Sequence, residues 1–318
     1  MVSSQAMRIL VTGGAGFVAS HISESYLKEG HQVAIVDDLS RGKEENIPQG
    51  AHFYQLDILD PQLEEVFSRE KPEVVNHHAA QIDVRKSLTD PTFDAKINIL
   101  GTLSLLRWAQ RYGTRQVIFA SSGGTIYGEE GTFPLLEDVP PRPKSPYGLS
   151  KYVGECYLEL YRALFGLDSV ILRYSNVYGP RQDPMGEAGV VAIFCQNILE
   201  GKPVMVFGDG TQTRDYVFVS DVVEANLLAL KAKGSHVLNI ATQMEASVNE
   251  LIHLLEDFST QPFPRNDAPA RPGELQRNCL AISRAQATLG WRPKVGLQEG
   301  LKETFRWFQQ ALRTKATP

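Results

Sequence analysis

The chemistry to look for in this chain is set by Tyr147 and Lys151, in the stretch Ser145-Pro146-Tyr147-Gly148-Leu149-Ser150-Lys151. Proline is suited to the first turn of a helix, and residues four apart share one helical face. A free phenol ionises at a pH of about 10, too high for a base at neutral pH, but a neighbouring cation favours the phenolate. A lysine one turn from a tyrosine therefore makes the tyrosine a candidate general base. The same spacing also occurs on ordinary exposed helices. Its meaning depends on whether the rest of the chain brings a cofactor and a substrate to it.

The N-terminal stretch predicts the cofactor. An apolar run, Met7 to Val11, leads into Thr12-Gly13-Gly14-Ala15-Gly16, and a helical pattern follows from Phe17 to Lys28. Val33 to Val36 then reads as a second buried strand ending in Asp37-Asp38. Strand, glycine turn, helix, strand and acid is the context of a dinucleotide fingerprint. Gly13 permits the tight turn, and Gly16 lets the backbone approach a pyrophosphate at the helix N-terminus, where Phe17 and Val18 begin. Ala19 is the small residue needed for close helix–strand packing. Asp37, with Asp38 beside it, accepts hydrogen bonds from ribose hydroxyls and repels a 2′-phosphate, so NAD is expected rather than NADP.

The alternation continues and predicts a doubly wound α/β fold. Strands are expected at His52–Leu56, Val74–His77, Gln116–Ala120 and Val170–Tyr174, with helices at Gln62–Glu70, Asp94–Tyr112 and Tyr147–Phe165. His77 and His78 are adjacent, so they point in different directions and make a poor metal pair. Ser121-Ser122-Gly123-Gly124-Thr125 follows a strand end, where ligands bind in open α/β sheets. Beyond residue 175 the alternation loosens. A helix is expected at Val190–Leu199, strands at Val204–Phe207, Asp215–Val219 and Val237–Ile240, and a helix capped by Asp221 runs to Lys231. Helices near Val248–Phe258 and Leu297–Leu312 flank a proline-rich loop from Pro262 to Pro272. The expectation is a Rossmann-type parallel sheet of six or seven strands over residues 1–175. Residues 176–318 form a smaller α/β substrate-binding part, with some segments interleaved into the first.

Composition bounds the rest. A net charge of −5 over 318 residues, with no basic run, argues against a general nucleic-acid binder. Cys156, Cys195 and Cys279 are far apart and form no paired or zinc-binding spacing, which suits a reduced, cytoplasmic protein. The polar stretch Met1–Ala6 and the short apolar run after it are neither a signal peptide nor a membrane span, and Met7 is an alternative start.

The glycine turn, the serine strand end, Tyr147-x-x-x-Lys151 and Arg173-Tyr174-Ser175-Asn176 together resemble the extended short-chain dehydrogenase/reductase superfamily. Five further segments resemble the substrate-binding stretches of its UDP-glucose 4-epimerase family. They are Tyr178–Pro184, Gly186–Gly189, Val206–Gly210, Thr213–Val217 and Ala270–Glu274. The resemblance implies NAD, a UDP-sugar substrate and a homodimer paired through the helices at Asp94–Tyr112 and Tyr147–Phe165. On the cofactor side it implies Asp57 and Ile58 at adenine, and His78, Ala79, Ala80 and Gln81 along the ribose path. Asn98 supports that region, Ser121 lies at the strand end, Lys151 bonds the nicotinamide ribose and Tyr174 flanks the nicotinamide. On the substrate side it implies Asn176 near the pyrophosphate, Val190 and Phe207 around uracil, and Ala188 as a further substrate contact. Arg214 and Arg271 clamp the diphosphate, a task suited to fixed guanidinium forks, and Glu274 holds a ribose hydroxyl. The implied reaction oxidises the sugar at C4 and reduces it again on the other face, with Tyr147 as the acid–base group.

Two positions depart from the family pattern. The usual catalytic Ser or Thr, four residues before Tyr127, is here Gly123. Ser122 is the first candidate for the missing hydroxyl and Thr125 the second. Seven residues past Arg271, where bulky aromatics restrict N-acetylated sugars in relatives, stands the smaller Asn278, which points to tolerance of UDP-GlcNAc and UDP-GalNAc. A UDP-glucuronate 4-epimerase is a further alternative, because uronate and hexose pockets differ in their loops. A 4,6-dehydratase or a decarboxylase lacks its carboxylates, because Gly123 and Gly124 hold their places. A non-enzymatic NAD-sensing protein has no use for the Tyr147–Lys151 pair.

Overall fold

The computed structural model describes residues 6–129, 131–185, 189–259, 262–270 and 275–316. The chain begins β1 (Arg8–Thr12), α1 (Phe17–Lys28), β2 (Gln32–Asp37), β3 (His52–Gln55), α2 (Leu63–Glu70), β4 (Val74–His77). It continues α3 (Val84–Thr89), α4 (Pro91–Ala95), α5 (Gly101–Arg111), β5 (Gln116–Ser122), α6 (Pro146–Phe165), β6 (Asp168–Tyr174). Next come β7 (Asn176–Tyr178), α7 (Val190–Leu199), β8 (Val204–Phe207), β9 (Thr213–Phe218), α8 (Val219–Ala229) and β10 (His236–Ile240). The described elements end with β11 (Glu245–Ser247), α9 (Val248–Glu256), β12 (Arg265–Ala268), α10 (Ser283–Leu289) and α11 (Leu297–Ala316).

Seven strands form one parallel sheet in the order β10-β6-β5-β4-β1-β2-β3. The strands are rich in Val, Ile and Leu because both faces of the sheet are covered. Ile9 and Val11 pack with Ile22 and Tyr26 of α1 and Ala225 of α8 on one face. Leu10 packs with Phe67 of α2, Leu105 of α5 and Leu158 of α6 on the other. The strand order reverses between β1 and β4, whose ends Thr12 and His77 are register partners. That reversal opens a crevice at the carboxyl ends of the strands.

After β6 the chain builds two small sheets, β11-β9-β7 and β12-β8, but β10 returns to the edge of the large sheet beside β6. A second apolar cluster holds this half together. It contains Tyr178, Phe194, Phe218, Leu251 and Phe305, and Phe17 of α1 packs against it. The first helix of the dinucleotide unit thus touches both halves.

Three differences from the sequence expectation matter most. The helix expected over Asp94–Tyr112 is broken into α4, a π-helical turn at Lys96–Leu100, and α5. Within that turn, Asn98 exchanges two hydrogen bonds with the backbone of Gln81, at 2.8 and 2.9 Å, a tertiary contact that periodicity does not reveal. Asp221 does not cap α8, which starts after Phe218. Its carboxylate instead accepts from the backbone amides of Lys294 and Val295. The loop expected after Pro262 contains β12, an edge strand that pairs with β8 and has little apolar pattern to betray it.

Candidate active site

Site building begins at the turn after β1. Gly13 has φ +70°, and a Cβ there would lie 2.7 Å from the amide nitrogen of Ala79. Only glycine lets β1 and the segment after β4 approach so closely. The turn delivers the chain into α1, whose N-cap Gly16 makes no side-chain capping bond and whose first turn holds no acid. An uncapped, uncompensated helix N-terminus is a ready anion site. At the end of β2, Asp37 is buried and accepts from the amides of Ala15 and Leu39 at 3.0 and 2.9 Å. Burial pushes its carboxyl upward, and each oxygen keeps a second lone pair for a ligand hydroxyl. The residues present fit a dinucleotide with a free ribose diol.

A cleft of ≈ 460 Å³ follows the crevice. It is lined by Gly13, Gly16, Phe17, Val18, Asp37, Asp38, Asp57, Ile58, His78, Ala79 and Ala80, and farther along by Ser121, Ser122, Tyr147, Lys151, Tyr174 and Asn176. Among the lining residues to which the sequence reading assigned no role are Ser175, Gln182, Asp183 and Met185. Gln182 lay inside a recognised segment but carried no role. Its Oε1 is buried with no hydrogen-bond partner, a signal visible only in three dimensions.

Helix α6, which carries Tyr147 and Lys151, is capped by Ser145, whose hydroxyl accepts from the amide of Gly148, and Pro146 occupies its first turn. It ends at Gly166 in the left-handed conformation. Because successive strand residues face opposite ways, Ser121 and Ser122 part company. Ser121 donates to Glu155 at 2.5 Å, whereas Ser122 lines the cleft together with Tyr147 and acts to lower its phenol. Glu155 itself is held by Arg173 in a buried ion pair at 2.6 Å. Thr125 Oγ1 is buried without a partner.

The electrostatics correct one expectation. Burial pushes the Tyr147 phenol up to about 12; Ser122 opposes this, and the charge of Asp94 adds to it. The ammonium of Lys151 instead donates to the carbonyl of Ala120 at 3.0 Å and lies over the ring of Phe119. Burial lowers Lys151 to about 8, opposed by Asp94 and Glu155. The helical pair alone therefore does not produce a phenolate.

His77 and His78 do diverge. His77 lies between the hydroxyls of Thr12 and Thr102, at 2.7 and 3.1 Å, and burial drives it well below its ordinary value. His78 stacks on Tyr174, with Nε2 3.2 Å from the phenol oxygen, and burial pushes it down to about 3. Both rings are neutral.

Other expected residues stand outside the cleft wall. Gln81 and Asn98 are buried behind it, bonded to each other and to Asp94, so Gln81 does not line the ribose path. Val190 opens α7, Phe207 ends β8, and Arg214 on β9 donates to the carbonyl of Thr213. Asn278 is not an open wall. It is buried, and its Nδ2 donates to the carbonyl of Gly123 at 3.2 Å, so the small side chain is filling space rather than leaving it. Ala188, Arg271 and Glu274 lie outside the described residues.

A parallel sheet with a glycine turn at its switch point, and a Tyr-x-x-x-Lys helix at the adjoining strand end, defines a dinucleotide-dependent enzyme of the extended short-chain dehydrogenase/reductase type. Residues 9–241 match the NAD dependent epimerase/dehydratase family, and the chain belongs to that family. The UDP-glucose 4-epimerase of Mycolicibacterium smegmatis is 44% identical, covering 95% of this chain and 99% of that one. A Thermotoga maritima UDP-glucose 4-epimerase solved with UDP-glucose is 47% identical, with TM-score 0.93 over 96% of this chain and all of its own. The UDP-glucose 4-epimerase of Thermus thermophilus, solved in complex with NAD, is 45% identical, with TM-score 0.92 and the same coverage.

Proposed function

We propose that this protein is a UDP-glucose 4-epimerase that interconverts UDP-glucose and UDP-galactose. The observation that carries this reading is the meeting of Ser122, Tyr147 and Lys151 at one end of the dinucleotide cleft, in a chain similar over nearly its whole length to such enzymes. Bound NAD supplies the hydride acceptor, so that C4 of the sugar is oxidised to a ketone and then reduced on its opposite face. Tyr147 removes and returns the proton of the 4-hydroxyl, and the Ser122 hydroxyl bridges the two oxygens. In the chain by itself the phenol stays protonated at neutral pH, which couples ionisation of Tyr147 to loading of the cleft. Lys151 holds the nicotinamide ribose and keeps a positive charge at the buried end.

Residues 1–175 carry the cofactor and the catalytic helix, and residues 176–318 supply most of the nucleotide-sugar site. The pairing of β7 with β9 supports this division, since Asn176 opposes Tyr216, two residues beyond Arg214. Arg214 and Arg271 serve the diphosphate, Val190 and Phe207 the uracil, and Glu274 the ribose, with Ala188 a further substrate contact. Thr125 lies at the sugar end. A homodimer is supported by the exposed apolar stripe Leu149, Cys156, Leu160 and Leu164 on α6, whose spacing keeps it on one face. Free thiols at Cys156, Cys195 and Cys279 suit a cytoplasmic setting.

The test is incubation of purified protein with UDP-glucose, UDP-GlcNAc and UDP-glucuronate, with and without added NAD, followed by separation of products. Conversion of UDP-glucose that is lost in Tyr147→Phe is expected. Turnover of only UDP-glucuronate or UDP-GlcNAc would replace the hexose assignment, and full activity of Tyr147→Phe would end the mechanism.

A further inference from the structure

Behind the catalytic helix lies a carboxylate that neither the cleft nor the chemistry above uses. Asp94 on α4 is 1% exposed. Its Oδ1 accepts from Gln81 Nε2 at 2.9 Å and Asn98 Nδ2 at 3.0 Å, while Oδ2 is buried with no hydrogen-bond partner. Asn98 Nδ2 also lies 3.1 Å from Ser150 Oγ, and Ser150 donates to the carbonyl of Tyr147 at 3.0 Å. One carboxylate thus joins the segment after β4, which forms the cofactor wall, to the turn of α6 between the tyrosine and the lysine. The π-helical turn at Lys96–Leu100 carries Asn98 into this cluster, and such turns recur at functional sites. A buried carboxylate oxygen left unpaired is costly unless a nearby cation compensates it.

We propose that Asp94 is a positioning residue of the catalytic pair, orienting the Tyr147–Lys151 turn through Asn98 and Ser150 and supplying the negative charge that keeps the lysine protonated inside the protein. This rests on the assignment of Tyr147 and Lys151 as the acid–base pair. Of the two carboxylates that oppose the effect of burial on Lys151, Glu155 is already ion-paired with Arg173, so Asp94 is the less compensated. The other titratable and charged groups on the packed elements are the neutral His77, at the end of β4, and His78 just after it; Asp83, Arg85 and Lys86 at α3; Asp90 and Lys96 at the two ends of α4; and Tyr152, Cys156, Tyr157, Glu159, Tyr161 and Arg162 on α6. Those four cations are exposed to water, which screens them.

The test is the pH profile of kcat for Asp94→Asn in the NAD-loaded protein, with saturating NAD also holding a weakened variant folded. Removing the charge lowers both the tyrosine and the lysine, so both limbs are expected to move to lower pH together, by about one unit. Tyrosinate absorbance of the NAD-free variant, titrated against pH, reads the same shift without turnover. Ser150→Ala breaks the link to α6 but leaves the charge. It is expected to lower kcat with both limbs in place. Unmoved limbs and an unmoved tyrosinate titration in Asp94→Asn overturn the proposal while leaving the Tyr147 assignment intact. If Asp94→Asn does not fold, Asp94→Glu keeps the charge and must keep both limbs; displaced limbs there overturn it equally. Activity surviving in Tyr147→Phe would instead overturn the assignment beneath it.

Discussion

Leu280 occupies the space that a side chain on Gly123 would need: a Cβ built there overlaps Leu280 Cδ1 and lies 3.2 Å from the carbonyl of Arg173. The side chain of Leu280 thus fills the space that a hydroxyl-bearing residue at position 123 would take. Gly123→Ser is therefore expected to destabilise by about 1–3 kcal/mol, as overpacking does, with no gain in kcat. Gly123→Ser with Leu280→Ala should recover part of the loss. Thermal unfolding of the two variants checks this.

Ser122 and Thr125 are separated by substitution. Ser122 acts to lower the Tyr147 phenol and Thr125 Oγ1 meets no partner, so Ser122→Ala is expected to lower kcat by roughly 10²-fold or more, and Thr125→Val by far less. Single-turnover rates with NAD affinity measured in parallel distinguish loss of chemistry from loss of cofactor.

Lys151 sets opposite pH dependences for activity and stability. Its folded-state value of about 8 lies below the unfolded one, so the native protein binds fewer protons than the unfolded chain between pH 8 and 10.5. Its contribution to stability thus rises with pH through that window, while activity should fall as the ammonium is lost. Lys151→Met removes the burial penalty. In the NAD-free protein it is expected to be inactive and to lose the rise in stability between pH 8 and 10.5 that the lysine contributes. Urea unfolding at pH 7 and pH 9.5 checks the sign.

The buried pair Arg173–Glu155 fixes the strand end behind Ser122. Glu155→Gln leaves a buried guanidinium without its counter-charge and is expected to destabilise by about 3–5 kcal/mol. Removing both charges, with Arg173→Met added, should cost less than the single change. Urea unfolding of the two variants tests that order.

Arg181 stands at φ +68°, unusual for a residue with a side chain, and reaches from the segment before Gln182 to Glu24 of α1 at 2.8 Å. Pro180 adds a contact from its carbonyl to His21 Nε2 at 2.9 Å. Because this segment forms one cleft wall, Arg181→Ala is expected to speed NAD dissociation a few-fold, the size expected of a partly exposed ion pair, with little change in kcat. Displacement of bound NAD followed by fluorescence measures it.

The dinucleotide unit was legible in the sequence because its signals are local. The turn at Gly13, the acid at Asp37 and the apolar strands between them are fixed by backbone sterics and by period, which act within a few residues. Tyr147 and Lys151 were legible for the same reason, since four residues are one helical turn. Tertiary structure decided what those residues experience. Desolvation, a property of the surrounding packing, raised Tyr147 and lowered Lys151, and directed the lysine to Ala120. The broken helix around Asn98, the return of β10 to the large sheet, and the closure of Leu280 over Gly123 all join residues far apart along the chain. No spacing in the sequence encodes such contacts. They follow from which surfaces must be buried together once the strands have paired.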